Sequence, residues 1–152
     1  MELERLDLAD ATVASEVLDL QRRAYHVEAD LIGSGEIPQL RETLAQLQGC
    51  GETFLGARVD GTLVAATSWR VVGDTIDLHR LVVDPAHFRI GLGSALVRAA
   101  LAAEPGCRQA IVQTGAANEP AKALYRAEGF SAADEIEPIP GLRVARFTKR
   151  LR

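Results

Sequence analysis

Val83-Asp84-Pro85-Ala86-His87-Phe88-Arg89-Ile90-Gly91-Leu92-Gly93-Ser94-Ala95-Leu96 passes from an apolar run through a proline turn and a glycine loop into a helical pattern. The spacing predicts a strand ending at Val83 and a helix beginning near Gly93. Leu92, Ala95, Leu96, Ala99 and Ala100 give that helix an apolar face, with small residues for close packing on a sheet. Glycines at a helix entrance let backbone N–H groups approach an anion closely, and the helix dipole adds partial positive charge at the same spot. Arg89 adds a full charge beside it. The loop reads as an anion cradle.

Downstream, Pro105-Gly106 ends the helix and Ala110 to Thr114 reads as a short strand. The cradle therefore sits in a strand-helix-strand unit with parallel strands and a right-handed crossover. Upstream, Thr53 to Val59 and Thr62 to Val72 flank Asp60-Gly61, a hairpin signal because both turn residues tolerate positive φ. Thr75 to Val83 follows Gly73-Asp74 and completes an antiparallel meander. Glu2 to Leu8 is expected as the first strand. Val13, Val17, Leu20 and Ala24 share one helical face, and Leu40, Leu44 and Leu47 repeat the pattern in a second helix. Ile32 to Pro38, with two glycines and a proline, is the loop between them. A last helix and two strands close the chain. The order β-α-α-β-β-β-α-β-α-β-β is an α/β (α+β) architecture, a mixed and mostly antiparallel sheet with helices on both faces. A doubly wound nucleotide fold fits less well, because a hairpin meander precedes the parallel unit.

The 152 residues suit one domain over 1–152 that buries a core without disulfides or a structural metal. A net charge of −4 argues against an extended nucleic-acid surface and favours a small-molecule role. Cys50 and Cys107 have neither metal-ligand nor redox spacing, and no His/Cys/carboxylate cluster suggests a metal. The first thirty residues lack a basic region followed by an apolar run, and no apolar stretch approaches the roughly 20 residues of a membrane span. The expectation is a cytoplasmic protein with neither a membrane nor a nucleic-acid partner.

A second block, Asn118-Glu119-Pro120-Ala121-Lys122-Ala123-Leu124-Tyr125-Arg126-Ala127-Glu128-Gly129-Phe130, gives the cradle a context. With it, the chain resembles the GNAT superfamily of N-acetyltransferases in element order over nearly its whole length. The family's acyl-CoA signature, approximately Arg/Gln-x-x-Gly-x-Gly/Ala after a Val-x-Pro-like turn, is matched by Val83-Asp84-Pro85 and Phe88-Arg89-Ile90-Gly91-Leu92-Gly93. The chain departs from it at Phe88, which stands in the Arg/Gln slot, with Arg89 one residue later. The resemblance implies acetyl-CoA as donor substrate, bound by Phe88, Arg89, Ile90, Gly91, Leu92, Gly93 and Ser94 at its pyrophosphate. It also implies contact of Asn118 with the pantetheine or pyrophosphate region, and a place for Tyr125 near the thioester sulfur. It further implies a bulge in strand Thr75 to Val83 and a splay from the strand Ala110 to Thr114. Pantetheine would lie in that gap, pairing with the backbone around Leu81 and Val83. Dimers are common in the family, so a homodimer through the C-terminal strands fits the resemblance.

Such chemistry needs a proton taken from an ammonium acceptor and one given to a departing thiolate. Tyr125 is the candidate general acid, on a helix face with Ala121, Leu124 and Glu128. His79 is the candidate base, since it titrates near neutral pH, and Asp77, His79 and Leu81 share a face if the strand is regular. Glu28 and Glu36, where the family builds its acceptor groove, are candidates for drawing in a primary amine or peptide amine acceptor. Bland readings stand beside these: Asn118 as a helix cap, Tyr125 as a core aromatic, His79 as an ordinary strand residue, the two glutamates as solvated carboxylates. An acyl-CoA-binding sensor or regulatory protein without catalysis is the alternative function. A dinucleotide oxidoreductase would rest on the glycine loop alone.

Overall fold

The computed structural model of the chain describes residues 2–32, 41–88 and 90–151, with the side chains of 27–32 excepted. The elements are β1 (Glu2–Arg5), α1 (Ala11–Ile32), α2 (Leu44–Gln48), β2 (Thr53–Val59), β3 (Thr62–Val72), β4 (Thr75–Val83), α3 (Leu92–Ala102), β5 (Gln109–Gly115), α4 (Glu119–Ala127), β6 (Ser131–Ile139) and β7 (Leu142–Arg150). The strands form one sheet in the order β1-β2-β3-β4-β5-β7-β6, in which only β4 and β5 run parallel. This is the mixed α+β sheet that the sequence predicts.

Local chemistry accounts for the element ends. Asp60 and Gly61 take φ of 50° and 80°, the left-handed pair that closes a two-residue hairpin. β1 ends at Arg5, not Leu8: the Asp7 carboxylate accepts from the Ala9 amide at 3.0 Å, turning the chain, and Asp10 then accepts from the Thr12 amide at 2.9 Å to open α1. Leu6 and Leu8 still reach the core. α1 runs through Ile32, one residue into the expected loop, whose remainder lies outside the described residues. α2 is a short helix that begins at Leu44, because Thr43 and Gln46 form a reciprocal capping box and Gly49 ends the helix; Leu40 lies outside the described residues.

The sheet is covered on both faces. Trp69, Ile76, Leu78, Val112 and Phe147 pack with α3 and α4, while Leu6, Phe54, Leu63 and Val82 pack with α1 and α2. Trp69 is fully buried, its indole N–H donating to Glu104 at 3.1 Å. Among the described residues no helix is long and apolar enough to cross a membrane.

Two irregularities in β4 position everything that follows. Ser68 pairs with Arg80 but Trp69 pairs with Leu78, so His79 is the extra residue of a β-bulge. The bulge exchanges the strand's faces: Ile76 and Leu78 join the α3 side before it, whereas Leu81 and Val83 do so after it, sending Arg80 and Val82 to the α1 side. The second irregularity is that β4 stops pairing with β5 at Leu78 and Val112, although β4 continues to Val83 and β5 to Gly115.

Candidate active site at the strand gap

Past Leu78 and Val112 the parallel ladder ends, although residues 79–83 and 113–115 continue as strand, and this break is the gap between β4 and β5. An extended, amide-bearing chain suits such an edge, since among the described residues the ladder of β4 there continues only with β3 on its other side. At the far end of β4, Asp84 accepts from the Ala86 amide at 3.0 Å and holds the turn into the glycine loop. Gly91 caps α3 with φ 82°, and a Cβ there would meet nothing within 4 Å. Gly91 brings no side-chain cap, so among the described residues the first amides of α3 are without a capping side chain at the positive end of the helix dipole. An anionic group fits.

Gly93 has a different job. A Cβ on it would come within 2.8 Å of Leu124 and 3.7 Å of Leu81, so its lack of a side chain lets α3 close against α4 and the end of β4. Leu81, Val83 and Gly93 are thereby brought together, with Leu92 in the core beneath and Ser94 half-buried beside it. Phe88 and Ile90 are exposed. Arg89 and Glu36 lie outside the described residues, and Glu28 lies on α1 with its side chain undescribed.

α4 begins at Asn118, whose side-chain oxygen accepts from the Ala121 amide at 3.2 Å, and Pro120 suits the first turn. About two helical turns past Asn118, Tyr125 is buried, edge-on to Phe130 at 5.6 Å and 6.2 Å from the Phe147 ring. Its helix face is the predicted one.

The α1 side of the bulge carries a polar network that the sequence reading misses. Arg80, buried, donates to both oxygens of Glu42 and both of Glu52, and to Gln21 at 2.6 Å. Ser68 donates to Glu52 at 2.6 Å, and Thr67 to the Arg80 carbonyl at 2.7 Å. Burial pushes the Glu52 carboxyl up, but the hydrogen bonds from Arg80 and Ser68 and the charges of Arg80 and His79 outweigh it and hold Glu52 below its ordinary value. Burial likewise works against the Arg80 charge, and the bonds to Glu42 and Glu52 more than offset it. His79 joins this network, its Nδ1 3.4 Å from Glu52 and its Nε2 3.2 Å from Asp77. A signal for the network exists in the sequence: Arg80 occupies an apolar phase of Ile76-x-Leu78-x-Arg80-x-Val82, where an unpaired charge is prohibitively costly. Nothing local names its partners, which come from α1, β3 and the segments before α2 and β2. Among the described residues no His/Cys/Asp/Glu group is arranged to hold a metal.

Residues 15–130 match the family model described as acetyltransferase (GNAT) family. The UPF0157 protein YqkA of Bacillus subtilis (strain 168) is 34% identical over 145 residues, covering 95% of this chain and 42% of that protein. The chain thus spans less than half the length of that curated relative. Among solved structures, the PaiA N-acetyltransferase of Thermoplasma acidophilum in complex with coenzyme A superposes with a TM-score of 0.75 at 18% identity, covering 99% of this chain and 100% of that one. The ribosomal-protein-S18-alanine N-acetyltransferase of Escherichia coli gives 0.76 at 21% identity, covering 98% and 92%.

Proposed function

The chain belongs to the GNAT acetyltransferase family, and on that premise we propose that it transfers the acetyl group of acetyl-CoA to a primary amine by direct attack in a ternary complex. The observation that carries this reading is the β4–β5 gap beside a glycine-opened helix start, where Gly93 lies against Leu81 and Val83. The gap suits the amides of a pantetheine arm, and the helix start suits a pyrophosphate. Bound there, acetyl-CoA supplies an activated acyl carbon: the amine nitrogen bonds to it, the carbon–sulfur bond breaks, and the CoA thiol leaves.

The chain's own groups do the rest. Backbone amides at Leu81 and Val83 pair with the pantetheine arm, and an N–H there polarises the thioester carbonyl. Leu92, Gly93 and Ser94 offer their amides to the pyrophosphate, with Phe88, Arg89 and Ile90 on the loop around it, and Asn118 holds the start of α4 next to the arm. Tyr125 gives a proton to the departing thiolate, whose conjugate acid has an ordinary pKa of about 8.5. His79 accepts the proton of the incoming ammonium, directly or through water. Glu28 and Glu36 help draw in the cationic acceptor.

Incubation with acetyl-CoA and a panel of small amines, amino acids and peptide N-termini tests this reading, with free-thiol detection and mass measurement of the acceptor. A 42 Da gain on one class of amine, matched by thiol release, is the expected result. CoA binding with no transfer to any member would instead favour a non-catalytic acyl-CoA sensor.

A further inference from the structure

We propose that Glu52 is a positioning residue for the acceptor side, holding His79 between two carboxylates so that the imidazolium formed on taking the amine's proton is matched at both nitrogens. This rests on the transferase reading. The bulge removes His79 from the ladder and leaves its side chain 31% exposed, one residue past the end of the β4–β5 pairing. Glu52, its side chain 5% exposed, reaches His79 Nδ1 at 3.4 Å, and Asp77 reaches Nε2 at 3.2 Å. A neutral imidazole has one N–H and can donate to only one of these carboxylates, whereas the imidazolium donates to both. The 3.4 Å contact with Glu52 is long for a hydrogen bond and leaves room to tighten when the proton arrives.

Glu52 is itself immobilised. Its Oε1 accepts from Ser68 Oγ at 2.6 Å and Arg80 Nε at 2.9 Å, and its Oε2 accepts from Arg80 Nη2 at 3.1 Å and faces His79. Arg80 is fixed in turn by Glu42 and Gln21. On the neighbouring strands Arg70 of β3 and the uncharged Ile111 of β5 stand opposite Asp77. An Arg80–Glu52 pair serving the fold alone has no need of a histidine on its outer oxygen.

The test compares the parent with Glu52→Gln, Glu52→Asp and the control Glu16→Gln, which breaks an ion pair to Arg58 on β2, two strands from β4. Single-turnover acetyl transfer is followed across pH with acetyl-CoA and the best amine of the panel. A base must be neutral to accept a proton, so losing one stabilising carboxylate is expected to move the acidic limb of the profile to lower pH. The plateau falls by roughly ten- to hundredfold as His79 loses its anchor. Glu52→Asp keeps the charge and is expected to retain the limb while lowering the plateau, and Glu16→Gln is expected to change neither. A plateau loss in Glu52→Gln with the limb unmoved would reduce Glu52 to a structural role and overturn the proposal. If the parent transfers to no amine, the transferase reading fails by itself. The ring ¹⁵N resonances of His79 then decide the clamp: a shift in Glu52→Gln with His26 and His87 unmoved supports it, and no shift overturns it.

Discussion

Replacing Arg80 with methionine is expected to lower the stability of the protein by about 3–5 kcal/mol at neutral pH, read as a fall in the urea midpoint. The side chain would keep its apolar stem, but Glu42 and Glu52 would lose the cation that both share, leaving two carboxylates in a largely buried space. The total stability of a domain this size is about 5–15 kcal/mol, so the loss is a large share of it. Its pH dependence has a definite sign. In the parent, Glu52 is held below its ordinary value of 4.5, so its contribution is fully present above that value and is lost as pH falls through the lower folded one. In the variant the uncompensated carboxylates are relieved by protonation, so the difference between parent and variant narrows on acidification. Adding Glu42→Gln and Glu52→Gln to Arg80→Met should recover most of the loss, because removing all the charges leaves none stranded. An unchanged midpoint in Arg80→Met alone would show that the network does not support the fold.

Tyr125→Phe is expected to slow single-turnover acetyl transfer by about a hundredfold or more, with little change in acetyl-CoA affinity. The ring stays, so its packing on Phe130 and Phe147 is preserved and the stability loss should stay within about 1 kcal/mol. The distinguishing readout is rate without affinity. A transfer rate equal to the parent's across pH would make Tyr125 a core aromatic only.

The sequence was most legible where geometry is local. Asp60-Gly61 sets its hairpin through two positive-φ positions, Asn118 and Pro120 open α4 through capping, and Gly91 opens α3 through one left-handed residue. The lengths of β1 and α2 were misread because Asp7 and the Thr43–Gln46 box act as stops that apolar periodicity does not register. The site divides along the same line. The glycine loop and the α4 block lie in continuous stretches and could be read directly. The Arg80–Glu42–Glu52–Gln21 network joins residues up to 59 positions apart, so only Arg80's misplaced charge hinted at it. His79 was ambiguous for a physical reason: a bulge at that residue exchanges the faces of β4, and no local pattern distinguishes a bulged strand from a regular one. Gly93 reads as a phosphate glycine in the sequence, yet its neighbours give it a packing role against Leu124.

Whether the gap between β4 and β5 receives the acyl-CoA arm is decided by amide hydrogen exchange with and without acetyl-CoA. Protection concentrated at residues 79–83, 113–115 and the first turn of α3, with the β2–β3 hairpin unchanged, is the predicted result. Saturating acetyl-CoA that leaves 79–83 and 113–115 exchanging at their free rates would contradict it.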